Sequence, residues 1–131
     1  MSLILQDIMA EGRGRVVVEG SFAPNGSSAV SSASNKGVGW SVARTSAGLF
    51  TITFDGEYKY NQLDSFTAFL QLATGDDKYA QGGTYTAPTS TANGTMTVRV
   101  WDASGAAETD VAADANNRIN FVAIFRKMDV D

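Results

Sequence analysis

The chain has 131 residues, 44% hydrophobic and 18% charged, with a formal net charge of −4 and neither cysteine nor histidine. That size fits one domain with one sizeable core, and the composition is that of a folded chain. Without Cys or His there is no disulfide framework, thiol chemistry, zinc–thiolate site or Ser-His nucleophile pair, and with no Lys/Arg cluster nucleic acid is disfavoured as a partner.

Residues 1–14 open the chain with Leu3, Ile4, Leu5, Ile8 and Met9. Ile4 and Ile8 are four apart, so they can form the apolar stripe of a short helix; equally, the segment can be an extended arm lying on a neighbouring subunit. Gly12 and Gly14 break a helix before the next element. Asp7 and Glu11 without a basic start do not make a signal peptide, and no apolar run reaches the roughly 18 residues of a membrane span. A cytosolic product with no membrane partner is expected.

Arg15–Phe22 reads as a strand with Val16, Val18 and Phe22 on one face and Val17, Glu19 and Ser21 on the other. Residues 23–37 are a Ser-, Gly- and Asn-rich loop, long against the usual connection of about 4–6 residues. Such a loop is either a mobile surface element or one ordered by contact with something else. Val38–Phe54 gives the clearest pattern: two alternating strands around the turn Thr45–Gly48, with Val38, Trp40 and Val42 sharing one face and Phe50, Ile52 and Phe54 another. Gly48 supplies the positive φ that a short bulged hairpin needs.

Asp55–Gln62 is a polar connection carrying Tyr58 and Tyr60. Leu63–Ala73 follows as a long strand, with Phe66, Ala68, Leu70 and Leu72 on one face and Phe69 on the other, in need of cover of its own. After a turn at Thr74–Asp77, Tyr79–Ala87 is a weaker strand, interrupted by Gly82-Gly83 and ended by Pro88, as suits a sheet edge. Asn93-Gly94 turns the chain into Thr95–Trp101, with Met96, Val98 and Val100 inward and Thr97, Arg99 and Trp101 outward. The Ala-, Asp- and Asn-rich connection 102–117 has room for a turn of helix over Glu108–Asp114. Arg118–Lys127 closes the core through Ile119, Phe121, Ala123 and Phe125. Val122 and Ile124 on its other face predict a central strand covered on both sides, and Met128–Asp131 a frayed tail.

These elements predict an all-β fold: an antiparallel two-sheet β-sandwich, jelly-roll-like, of about seven strands. Residues 15–131 form its single domain, preceded by the helix or arm of residues 1–14. Bulky groups on both faces of several strands point to a homo-oligomer; the alternative is scattered surface hydrophobics, which are normal.

Candidate chemistry is sparse. Asp76-Asp77 and the set Asp102, Glu108, Asp110 and Asp114 are the acidic clusters. Paired carboxylates serve glycoside hydrolysis or bind calcium, but no spacing here matches a calcium loop, and Asp in turns normally serves the backbone. Gly12-Arg13-Gly14 and Gly37-Val38-Gly39 lack a phosphate-binding pattern. No catalytic residue, metal site or cofactor is expected. Trp40, Trp101, Tyr58, Tyr60, Tyr79 and Tyr85 are the aromatics a sugar platform would need. Trp40 falls on a core face, whereas Trp101, in phase with Thr97 and Arg99, is the better exposed or interface aromatic. Arg44, Arg99 and Arg118 read as solvated or locally paired. The candidate interface residues are Leu3, Ile4, Ile8, Tyr58, Tyr60 and Trp101.

Three runs carry a resemblance. Ser41–Phe54 (SVARTSAGLFTITF), Val98–Ala107 (VRVWDASGAA) and Asn116–Val122 (NNRINFV) are similar to strand-and-turn units of small virion proteins of tailed bacteriophages. The resemblance implies a non-enzymatic β-sandwich subunit of a phage particle, made in the host cytoplasm and located in the virion. A capsid decoration (cement) protein is the leading role, homotrimeric as such families often are, with the major capsid protein or another virion protein as partner. A fibre, head-tail or baseplate component is the neighbouring role. A carbohydrate-binding module using exposed aromatics is the rival from another class.

Overall fold

Alternation of apolar and polar residues forces each strand to bury one face, and two sheets closing on one another satisfy that demand. In the computed structural model, which describes residues 15–55, 62–104 and 107–126, the strands are β1 (Arg15–Phe22), β2 (Trp40–Ser46), β3 (Leu49–Phe54), β4 (Gln62–Gln71), β5 (Lys78–Thr86), β6 (Thr95–Asp102), β7 (Ala107–Glu108) and β8 (Arg118–Arg126). Seven of them make the sandwich: a three-stranded sheet in the order β1-β8-β4 and a four-stranded sheet in the order β2-β3-β6-β5. The two-residue β7 adds to β6 beyond the end of β3. All pairings are antiparallel. The chain crosses from sheet to sheet between β1 and β2, β3 and β4, β4 and β5, and β6 and β8, which is jelly-roll-like wrapping.

The core is built from the alternating positions. Val18 and Phe22 of β1, and Ile119, Phe121, Ala123 and Phe125 of β8, face Trp40, Phe50, Ile52, Phe54, Met96, Val98 and Val100 of the other sheet, and all are buried. β8 is central, as its sequence predicts, but cover on both sides is only partial: Val122 and Ile124 are half-buried on the outside of the sheet. β5 is an edge strand, and its register shifts between Gly82 and Tyr85.

Three expectations need correction. Val38 does not share the core face with Trp40 and Val42. Gly37 and Gly39 take φ of 106° and 93°, β2 starts only at Trp40, and Val38 stands 81% exposed. Glu108–Asp114 forms no helical turn, because β7 pairs with Trp101 and Asp102, and the Thr109 N–H then donates to the Val100 carbonyl at 3.0 Å. Residues 23–37 do not need an outside body to order them, for they are hydrogen-bonded to their own sandwich.

Gly20 lies on the inner face of β1, where a Cβ would stand 2.5 Å from ring atoms of both Phe121 and Trp40. No L side chain fits there without moving two rings. Gly20→Ala should therefore lower the free energy of unfolding by about 1–3 kcal/mol, and Phe121→Ala by about 3–5 kcal/mol. Urea titration followed by tryptophan fluorescence measures both, and an unchanged midpoint for Gly20→Ala would contradict this packing.

Candidate functional site

The arginines decide how the loops sit. Arg44 ends the inner face of β2, where its guanidinium meets Asp110 side-on, with Nε donating to Oδ1 at 3.0 Å and the terminal nitrogen donating to Oδ2 at 2.9 Å. The Gly48 N–H donates to the same Oδ1 at 3.0 Å. This fork clamps residues 109–111 over one end of the core and sets Val111, 2% exposed, as its plug. Arg99 pairs with Glu108 of β7. These carboxylates, part of the acidic set that the sequence offers for metal or hydrolytic chemistry, are committed to arginines. Among the described residues no group of His, Cys, Asp or Glu is arranged to hold a metal ion.

Arg118 does the same for the long loop. Its Nε donates to Ser21 Oγ at 2.7 Å, and its terminal nitrogen donates to the carbonyls of Ser21 and Ser34 at 3.1 and 2.6 Å. Ser21 and Lys36 exchange backbone hydrogen bonds at 3.0 and 2.8 Å, the Ala23 N–H donates to Ser34 Oγ, and the Gly26 N–H donates to the Val111 carbonyl. Ser32–Ser34 form one turn of 3-10 helix capped by Ser31. The loop is thus pinned from end to end, and it finishes in Gly37-Val38-Gly39. Gly37 packs so tightly on the Glu19 carbonyl that a Cβ would lie 2.4 Å from its oxygen, and the Gly39 carbonyl accepts from Asp55 N–H at 2.9 Å. Val38 is held out between these two fixed points as an apolar knob.

The aromatic candidates separate. Trp40 is core, 8% exposed. Trp101 is half-buried rather than exposed, and its Nε1 is shut off from solvent. Its flanking strands explain the difference: Tyr79 of β5 pairs with it on one side and Glu108 of β7 on the other, and the latter strand has no pattern in the sequence. Tyr79 is the exposed member, at 48%. Tyr85 turns inward, and burial pushes its phenol above the usual tyrosine range. Leu3, Ile4, Ile8, Tyr58 and Tyr60 lie outside the described residues. Arg15, Arg126 and Gln62 share one row across the three-stranded sheet. Phe54, next to Asp55, packs on Phe125 in the adjoining row, with ring centroids 4.8 Å apart. The segments 1–14, 56–61 and 127–131 therefore all join the body at one end.

Comparison with known families, curated proteins and solved structures finds no match. Among the described residues no helix is long and apolar enough to cross a membrane.

The Arg44 guanidinium, with help from the Gly48 N–H, holds the Asp110 carboxyl below its usual pKa, and the same bond raises that of Arg44. A carboxylate whose folded pKa is depressed stabilises the fold above its unfolded value, about 3.9, and that contribution is lost as pH falls through the folded value. Asp110→Asn should flatten the acid limb of the stability curve below about pH 4, read as urea midpoints against pH. An acid limb identical to the parent's would rule out Asp110 as a source.

Proposed function

We propose that this chain is a non-enzymatic structural subunit of a phage particle, a capsid decoration protein that acts by protein–protein contact and assembles as a homotrimer. The observation that carries the reading is the pinned loop 23–37 with exposed Val38 held where the loop rejoins the sandwich, just before β2. A recognition element that is already ordered loses little conformational entropy on binding, so a small apolar contact yields more net affinity. Many equivalent copies on one shell make individually weak contacts effective together. The strand-and-turn resemblance supports the same role: its three runs fall on the β2–β3 hairpin, on β6 with the turn towards β7, and on the start of β8. The arginine–carboxylate pairs fit it too, since they hold loops against the sandwich.

Another virion role, as a fibre, head-tail or baseplate component, rests on the same surfaces. The carbohydrate-binding reading has one observation in its favour, the exposed Tyr79 beside Trp101 on the outer face of the four-stranded sheet. Trp101 itself offers little open ring surface for stacking.

Light scattering on the purified full chain should give the mass of a trimer. Val38→Asp should leave the thermal midpoint within a few degrees while weakening binding to the particle by at least tenfold, since a charge would enter the apolar contact. A strictly monomeric full chain at high concentration, or unchanged binding by Val38→Asp, would count against this assignment. Glycan binding lost on Tyr79→Ala would favour the carbohydrate reading instead.

A further inference from the structure

The chain contains two Asn-Gly dipeptides, Asn25-Gly26 and Asn93-Gly94, and every other asparagine is followed by a residue with a side chain. Asparagine before glycine is prone to lose its amide. The next backbone nitrogen can close on the side-chain carbonyl carbon, and glycine puts no Cβ in the way. In sequence the two dipeptides are equivalent, but the fold treats them differently. At Asn25 both reacting groups are engaged: the side-chain Nδ2 donates to the Ala29 carbonyl at 3.2 Å, and the Gly26 N–H donates to the Val111 carbonyl at 2.9 Å. Val111 itself lies on the stretch that the Arg44–Asp110 fork fastens. Asn93, by contrast, stands exposed between two fixed points. Before it, the Thr89 N–H donates to the Ala92 carbonyl at 2.8 Å, and after it the Gly94 carbonyl accepts from the Phe54 N–H at 2.9 Å. Among the described residues, neither the Asn93 side chain nor the Gly94 N–H has a hydrogen-bond partner. Electrophile and nucleophile are free together.

We infer that Asn93 is a site of spontaneous covalent modification, converted through a succinimide to aspartate and isoaspartate, while the folded chain spares Asn25. The Gly94 nitrogen attacks Asn93 Cγ. The N–Cγ bond forms, the Cγ–Nδ2 bond breaks, and the proton from the Gly94 nitrogen leaves with Nδ2 as ammonia. Water then opens the ring. Addition at Cγ breaks the new bond and leaves an aspartate at position 93. Addition at the main-chain carbonyl carbon breaks the original peptide bond and leaves an isoaspartate, whose backbone runs through Cβ and Cγ. Solvent water is the sole co-reactant. Either product puts a carboxylate where the amide was, adding one negative charge to the formal −4. The products differ in consequence. An aspartate in an exposed turn suits its place. The isoaspartate lengthens the backbone just before Gly94, which holds Phe54, and before Thr95, which pairs with Thr53 on one side and Thr86 on the other. That displacement falls at the start of β6, the strand that joins β3 to β5. At Asn25 the same chemistry waits on local opening of the pinned loop, which lowers its rate by the fraction of time the loop is open. The inference goes beyond the assembly role and does not depend on it.

Trypsin places the two sites on separate peptides, Val16–Lys36 and Tyr79–Arg99. The purified full chain, kept folded in mildly alkaline buffer and sampled over weeks, should gain about one dalton at Asn93 at least tenfold faster than at Asn25, with fragment ions locating the change. In concentrated urea, where both dipeptides are released, the two rates should come within about threefold of each other. Gly94→Ala, whose added Cβ would stand 3.2 Å from Pro88 Cδ, should slow the change at Asn93 at least tenfold and leave Asn25 alone. Asp110→Ala removes the carboxylate that fastens the Val111 stretch, so it should speed the change at Asn25 severalfold and leave Asn93 as it was. An Asn93 peptide that gains no mass, Asn25 reacting as fast as Asn93 in the folded chain, a ratio that urea leaves unchanged, or an undiminished rate in Gly94→Ala would each overturn the inference. An unmoved Asn25 rate in Asp110→Ala would overturn the part given to the Val111 clamp. None of these readouts depends on the trimer, which light scattering tests by itself.

Discussion

Everything in this molecule depends on a seam of aromatic rings between the two sheets. Phe22 of β1 meets Trp40 and Phe50 across the gap at centroid distances of 6.1 and 5.4 Å. Trp40 meets Phe121 edge-on at 4.9 Å, and Phe125 touches Phe54 at 4.8 Å and Tyr85 at 6.3 Å. Tilted and edge-to-face pairs of this kind add roughly 0.5–1.5 kcal/mol each beyond the area they bury. Rings of this size leave little slack, so the seam dictates residues elsewhere: Gly20 must lack a side chain because Phe121 and Trp40 occupy its place.

Around the seam, long-range polar contacts convert irregular chain into fixed surface. Arg44 fastens the 109–111 stretch and Arg118 the 23–37 loop, the latter across separations of 97 and 84 residues. Bidentate and multiply donating guanidinium groups suit this task because one planar head can satisfy several acceptors at once. A sandwich held this way presents surface detail with little motion, which suits recognition by shape. Its sheet edges also discourage strand-to-strand growth, with register shifts in β2, β4 and β5.

The strands were legible because alternation reports burial directly. Val18 and Phe22, the Phe50–Phe54 set, Met96 to Val100, and Ile119 to Phe125 all lie where their period places them. Val38 misled because it keeps phase with Trp40, and only the positive φ of the flanking glycines breaks that phase. Trp101 misled for a different reason: its cover comes from a two-residue strand with no periodicity to read. The pinning of 23–37 was invisible because it depends on Arg118, remote in sequence, and on backbone carbonyls, which leave no trace in residue type. The Arg44–Asp110 fork was half visible, as an arginine expected to pair locally, while its partner emerges only from the three-dimensional fold.

The placement of β8 has a consequence for how the molecule comes into being. It is the central strand of the three-stranded sheet, and among the described strands it is the last in the chain. β1 and β4 pair with β8 and not with each other, so neither finds its sheet partner until residues 118–126 have been synthesised. The four-stranded sheet, by contrast, has all of its main strands by Asp102. Closing β1 onto β8 joins stretches about a hundred residues apart, the kind of pairing that makes folding slow. During synthesis, the apolar faces of β1 and β4 therefore wait unpaired on the nascent chain, and the final strand is the one that completes the sandwich.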